Sequence, residues 1–265
     1  MKDLKNILDE VATFVKFHGD RVYEHWQELT IDASKDGVDV TTNFDIEIEK
    51  KFAEFVKEHY PDHGFVGEED QELNREAEFI WHIDPIDGSK FFAKYVPLWG
   101  LTLALVKDGE PLLGVIYNPV SKQLYSAYKG GGAFLNDKPL KIADEKDPTK
   151  LQLVWDLTTW KYEWDKYQDQ FTEMLSTLVK KFYRVRALGN GAYSLAWQAQ
   201  GMFGAFVDPY RHKSKFVDIA AGVLITQEAG AAFYRNPLGN EMEQILIASP
   251  EIIELIKPII KLNQA

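Results

Sequence analysis

The chain has 265 residues, enough for one large domain or two closely packed ones with a substantial core, and its 45% hydrophobic and 27% charged content is that of an ordinary soluble globular protein. A net charge of −11 argues against a nucleic-acid or anionic-membrane partner, and zero cysteines exclude disulfides, thiol nucleophiles and Cys-ligated zinc. No secretory signal and no run of about 18 apolar residues stands in the sequence, which predicts a cytoplasmic protein.

Leu4, Ile7, Leu8, Val11, Phe14, Val15, Val22 and Trp26 recur at helical spacing. They predict a long amphipathic first helix whose apolar stripe is core, with Gly19 as a point of interruption. Asp39-Val-Thr-Thr-Asn-Phe-Asp45 leads into a second helix, buried through Phe44, Ile48, Phe52, Phe55 and Tyr60. Asp45 falls at its start, where it reads equally as an N-cap and as a functional carboxylate.

Gly67-Glu68-Glu69-Asp70 is the first acidic cluster. Residues 79–83 form a short apolar run suited to a buried strand, which Pro85 and Gly88 should stop. Asp84 then sits at the strand's end and Asp87 on the turn that follows, and Pro85-Ile86 turns the backbone so that both carboxylates converge. The plainer alternative is that the two aspartates cap the next helix. Gly88-Ser89 offers backbone N–H groups and a hydroxyl at a helix start, a cradle for phosphate. Carboxylates beside an anion site require a cation between them, so the stretch reads as a metal-dependent phosphate site. His82 shares the alternation parity of Asp84 and reads as a structural residue or as a neighbour of a metal ligand.

Strands at 101–106, 112–117 and 124–128, separated by Asp-Gly and Asn-Pro turns, predict an antiparallel meander. The three glycines at 130–132 lack the Lys-Ser/Thr of a P-loop and read as a tight sheet corner. A charged linker at 143–150 divides an N-terminal α+β half, 1–145, from a C-terminal α/β half, 146–265. That half should hold strands at 151–155, 184–188 and 203–207, with helices near 167–180, 191–200 and 218–228. Asp218 opens the last of these, Gly230 stops it, and Ser249-Pro250 caps a final helix that Pro258 breaks. No internal repeat or low-complexity tract is evident.

Gly-Glu-Glu at 67–69, Asp-Pro-Ile-Asp-Gly-Ser at 84–89 and Asp-Ile-Ala-Ala-Gly at 218–222, in that order, resemble the inositol monophosphatase family. This is the lithium-sensitive, magnesium-dependent phosphatase superfamily that also holds fructose-1,6-bisphosphatases and bisphosphate nucleotidases. The likeness runs from Asp39 to Gly230. It implies a layered αβαβα sandwich and a homodimer. It also implies one metal held by Glu68, Asp84 and the Ile86 carbonyl, a second held by Asp84, Asp87 and Asp218, and a third, weaker ion near Glu68 and Glu69. Ligation by oxygen alone points to Mg²⁺, two or three ions, with Mn²⁺ able to substitute. In the family the aspartate matching Asp45 pairs with the hydroxyl of the Asp-Gly-Ser/Thr turn, here Ser89, to help activate the attacking water. The backbone of Gly88 and Ser89 would hold the phosphate.

Residues 189–194, including Asn190, and 207–218 should line the alcohol side of the pocket. Classical inositol monophosphatases carry a glutamate shortly before the last metal aspartate. This chain has Tyr210, Arg211 and His212 there, with Asp208 the nearest carboxylate. Arg211, Lys213 and Lys215 read either as partners of a second anionic group, as in fructose 1,6-bisphosphate, or as a solvated basic loop. Asp-Gly-Ser-Lys90 is similar to 3′-phosphoadenosine 5′-phosphate phosphatases, and Pro97-Leu-Trp-Gly100 with Gly114-Val-Ile to histidinol-phosphate phosphatases. The expectation is a Mg²⁺-dependent phosphomonoesterase acting on inositol monophosphate or a related small phosphate ester. The alternative from another class is a non-catalytic, RNA-polymerase-associated regulatory relative.

Overall fold

The computed structural model describes residues 3–35, 39–67, 72–157 and 164–262. Among these, α1 (Leu4–Glu24) is followed by the hairpin of β1 (Ile31–Lys35) and β2 (Asp39–Thr42). Next come α2 (Asn43–His59), β3 (Gly64–Gly67), β4 (Glu72–Leu73), β5 (Ile80–Asp87) and the short α3 (Ser89–Phe92). A meander of β6 (Gly100–Lys107), β7 (Glu110–Asn118), β8 (Gln123–Tyr128), β9 (Gly132–Leu135) and β10 (Lys138–Pro139) completes the first sheet. The rest of the chain gives β11 (Gln152–Trp155), α4 (Trp164–Lys181), β12 (Arg184–Arg186), α5 (Gly191–Ala199) and β13 (Ala205–His212). It ends with α6 (Ala220–Glu228), β14 (Ala232–Gly239), β15 (Met242–Ala248) and α7 (Pro250–Ile256).

The first sheet has the order β10-β9-β8-β7-β6-β5-β3-β4, with β3 and β5 its one parallel pair among the described strands. The second has the order β12-β11-β13-β15-β14, with β11 parallel to both neighbours. Three apolar clusters stack these sheets between helices. Ile7, Val11 and Val15 of α1, with Phe52 and Val56 of α2, cover Trp81, Leu103 and Val115 on the outer face of the first sheet. Leu195 of α5 and Val223 and Ile225 of α6 lie between Ile116 of the first sheet and Phe206 and Ile247 of the second. Phe171 and Leu178 of α4, with Ile253 of α7, close the far face over Leu153, Val207 and Leu246. The result is the expected αβαβα sandwich.

The helices match their layers. α1 is an outer helix with one apolar stripe, whereas α6 is buried from Ala220 to Thr226, as a helix covered on both sides must be. Gly19 does not interrupt α1. A Cβ there would lie 2.8 Å from the Tyr117 ring, so the glycine admits that ring, whose hydroxyl donates to Asp20. Trp26, expected on the helix, sits in the 3₁₀ turn after it and donates from Nε1 to the Phe92 carbonyl. Pro85 does not stop β5, which continues to Asp87. The hairpins β1–β2 and β14–β15 were not foreseen.

The middle layer approaches the first sheet closely at Gly114 of β7. A Cβ there would stand 2.8 Å from the carbonyl oxygen of Ala221 and 2.9 Å from its Cα, both backbone atoms of α6. Gly114→Ala should therefore force helix and sheet apart and lower stability by about 1–3 kcal/mol, read in urea or thermal unfolding. A midpoint equal to that of the wild type would show that the contact yields without strain.

Candidate functional site

Asp84 and Asp87 are three residues apart, which on a regular strand would turn their side chains to opposite faces. In the pairing of β5 with β6, Asp84 faces Thr102 and Asp87 faces Gly100, three residues on one strand against two on the other. The extra residue is a β-bulge, and it returns Asp87 to the face of Asp84. Pro85 lies inside the bulge, where its missing N–H interrupts no ladder bond. The Ile86 N–H turns back to Asp84 Oδ1 at 3.1 Å. Both carboxylates are nearly out of solvent, 4% and 7% exposed. If they stand about 5 Å apart, they repel by roughly 3 kcal/mol at an effective dielectric near 20. Asp87 also lies near Tyr193 of α5, whose hydroxyl pKa is raised by burial and then by the Asp87 charge. That hydroxyl donates to the Trp99 carbonyl at 3.1 Å, in space that a Cβ on Gly100 would occupy.

Gly88 follows with φ of +90°, a region that favours glycine. A Cβ on it would stand 2.6 Å from the Leu98 carbonyl oxygen and 2.8 Å from Asn190 Nδ2. Asn190 is the N-cap of α5, accepting from the Tyr193 N–H at 2.9 Å, and is buried. Its Nδ2 has no hydrogen-bond partner among the described residues. The two halves of the chain thus meet at Gly88, with an unused donor beside it. Ser89 is half-buried and Lys90 exposed at the start of α3. β2 packs against α3, which sets the beginning of α2 beside that of Ser89's helix. The cap of α2 is Thr42, and Asp45 is the third residue of a capping box. Its Oδ2 accepts from Thr42 N at 2.8 Å and from Thr42 Oγ1 at 2.7 Å.

On the second sheet, Asp156 at the end of β11 and Asp208 and Arg211 on β13 form a buried ion cluster. Arg211 Nε donates to Asp208 Oδ2 at 2.7 Å, Nη2 to Asp156 Oδ2 at 2.9 Å and Nη1 to the Lys215 carbonyl at 2.8 Å. All of Arg211 is inside the protein, at 0% exposure. Burial works against its charge, but Asp208, Asp156 and Asp218 outweigh it and raise its pKa further. Burial is also the main reason that both carboxyls are held above the usual range. Asp218 precedes α6 by two residues rather than capping it, lies 3.8 Å from Lys215 Nζ, and is felt electrostatically at Asp156 and Arg211. Gly191 joins these parts. A Cβ on it would stand 2.7 Å from Ile219 and 3.2 Å from Asp156 Oδ2.

The family model described as the inositol monophosphatase family matches residues 6–254. The chain belongs to the inositol monophosphatase family. The inositol-1-monophosphatase of Bacillus subtilis is 31% identical over 235 residues, covering 85% of this chain and 84% of that one. The Nus factor SuhB of Pasteurella multocida is also 31% identical, over 72% of this chain and 70% of its own. Among solved structures, an IMPase/NADP phosphatase complexed with Mg²⁺ and phosphate shares the fold, with a TM-score of 0.80 at 22% identity over 99% of this chain and 97% of that one.

The family's ligand set can be laid on this geometry only in part. Glu68 and Glu69 lie outside the described residues. β3, which ends just before them, runs parallel to β5 with Gly67 beside Ile83. Among the described residues no three acidic or histidine side chains stand close enough to hold a metal by themselves. The bulge sets the buried Asp84 and Asp87 on one face, with oxygen donors only. That set fits a hard divalent cation such as Mg²⁺. Arg211 and Asp208 need correcting as substrate residues: both are shut inside the protein on each other, leaving the half-buried Lys213 and Lys215 as the accessible cations of the basic segment. The glycine corner at 130–132 is closed to anions, since the N–H groups of Gly130 and Gly132 donate to Glu228 at 2.8 and 2.9 Å.

Reading the sequence missed Asp156 and Glu49, and placed Tyr193 only within the stretch 189–194 expected to line the pocket. Glu49 is fully buried, one turn beyond Asp45 on the inner side of α2, with its carboxylate filling the space beside Gly67. An acidic residue at i+4 within an apolar stripe was the available signal. His82 faces the same side as Asp84, and burial pushes its imidazole down to about 4. It is therefore neutral when folded and takes up a proton on unfolding below about pH 6.5. The stability it contributes is complete above that pH and is lost as the pH falls toward 4. NMR titration should show the His82 ring still neutral at pH 5; a midpoint near 6.5 would contradict the burial argument.

Proposed function

We propose that this phosphatase-family chain is a Mg²⁺-dependent phosphomonoesterase that hydrolyses inositol monophosphate or a related small sugar or alcohol phosphate with water as nucleophile. The observation that carries the reading is the bulge that sets Asp84 and Asp87 on one buried face, next to Gly88 and the unused Asn190 Nδ2. Bound Mg²⁺ would neutralise the carboxylates and supply the Lewis acidity that such hydrolysis needs. Asp84, Asp87, Asp218, Glu68 and the Ile86 carbonyl are the proposed ligands, for two or three ions, with Mn²⁺ as a substitute. Gly88 and Ser89 would bind phosphate oxygens through backbone N–H groups, and Asn190 Nδ2 is placed to donate to the same ester. Asp45 would orient the Ser89 hydroxyl toward the attacking water. Lithium inhibition, a cytoplasmic setting and a homodimer belong to the same reading.

A second reading, a regulatory protein without turnover, draws support from the Pasteurella relative called a Nus factor. The two separate on one assay. Purified protein should release phosphate from a panel of inositol, sugar, nucleotide and histidinol phosphates with Mg²⁺ and lose that activity with a chelator. Asp87→Asn should lower turnover on the order of 100-fold or more while the thermal midpoint stays at or above that of the wild type, because it removes one of two repelling charges. Folded protein inactive on every substrate and metal would favour the regulatory reading, and full activity of Asp87→Asn would refute the ligand set.

A further inference from the structure

The second sheet repeats a local device of the first. In the pairing of β13 with β15, Asp208 faces Ile245 and Arg211 faces Glu243, again three residues against two, with a proline next after the aspartate. The N–H of Tyr210 returns to Asp208 Oδ1 at 3.2 Å, as that of Ile86 returns to Asp84 Oδ1. Asp-Pro-Ile-Asp and Asp-Pro-Tyr-Arg are thus two bulges of one kind, one on each sheet. Each brings its first and fourth side chains to the same face. In the first the pair is two carboxylates; in the second it is an ion pair.

That ion pair is tied to the segments bearing other proposed site residues. Arg211 Nη2 reaches Asp156 beneath Gly191, which follows Asn190, and Nη1 reaches the Lys215 carbonyl in the 3₁₀ turn Lys213–Phe216, which leads to Asp218. The planar fork of a guanidinium can satisfy three acceptors at fixed angles, which an ammonium cannot. A buried ion cluster is weak evidence for added stability, since hydrophobic packing serves as well or better. Its geometry is more informative than its energy.

Resting on the phosphatase reading above, we propose that Arg211 is a positioning residue. Anchored by Asp208 and Asp156, it holds the Lys213–Phe216 turn through the Lys215 carbonyl and so sets where Asp218 stands relative to the start of α5. It touches neither substrate nor metal.

The test is Arg211→Lys, which keeps the charge and loses the fork. In metal-free protein, amide hydrogen exchange over 213–218 should rise on the order of 10-fold while exchange in β5 and β6 stays as in the wild type. The Mg²⁺ concentration for half-maximal binding, measured by calorimetry without substrate, should rise about 10–100-fold. At saturating Mg²⁺ the KM for the phosphate ester should stay near that of the wild type. If Arg211→Lys fails to fold, Asp156→Asn, which keeps an acceptor oxygen and removes one anchor's charge, is judged by the same measurements. Wild-type exchange over 213–218 together with a wild-type Mg²⁺ midpoint, in a folded variant of an active enzyme, overturns the role of Arg211 alone. A wild-type protein that neither binds Mg²⁺ nor releases phosphate overturns the reading of the site, and this role with it.

Discussion

One extra residue in β5 is the constraint on which the site depends. Without the bulge, one of Asp84 and Asp87 would point into the apolar layer beneath α1 and α2, among Trp81, Ile83 and Leu103. A lone carboxylate there would face a desolvation penalty of several kcal/mol. With it, both point toward the middle layer, where the helices α5 and α6 begin and where partners are polar. The same irregularity accommodates Pro85, so the strand continues past a residue that looked like its end.

The surroundings are built to keep that arrangement rigid. Trp26, Phe92 and Trp99 pack together behind α3, with ring centroids 4.6 to 5.4 Å apart, and fix the backbone around Gly88. Asp84, Asp87, Asp45 and Glu49 are all buried carboxylates within the first half, an uncommon concentration in a core. Electrostatic strain of this sort is stabilising for nothing by itself. It becomes intelligible when a divalent cation is part of the folded state, because binding then returns the repulsion as affinity.

Much of this was legible in the sequence, and the reasons for the misses are specific. The helical stripes of α1 and α2 were read from local periodicity, because each buries one face, and the meander from β6 to β8 from short apolar runs separated by Asp-Gly and Asn-Pro turns. Convergence of Asp84 and Asp87 at a turn was expected; the structure gives them a shared face, set by a register with β6 that local sequence does not encode. Arg211 read as a substrate-facing cation or as part of a solvated basic loop, because its acceptors Asp156 and Lys215 lie 55 residues before it and four after, on other elements. β15 was overlooked because Glu243 and Gln244 interrupt its apolar run, although the whole strand is buried. Its hairpin did leave a trace, for Gly239-Asn240 is a turn signal and Asn240 and Glu241 have positive φ.

The contact of Asn190 with Gly88 has a consequence for how the molecule comes together. Neither partner finds the other until α5 has docked on the inner face of the first sheet, so the cradle is a late product of assembly. A ribosome-bound chain that has emerged only through β10 would already carry both aspartates, yet would expose Ile116 and Ala127 where α6 later rests. Anion affinity at Gly88 would therefore report, during synthesis or refolding, on the closure of the sandwich rather than on the folding of either sheet.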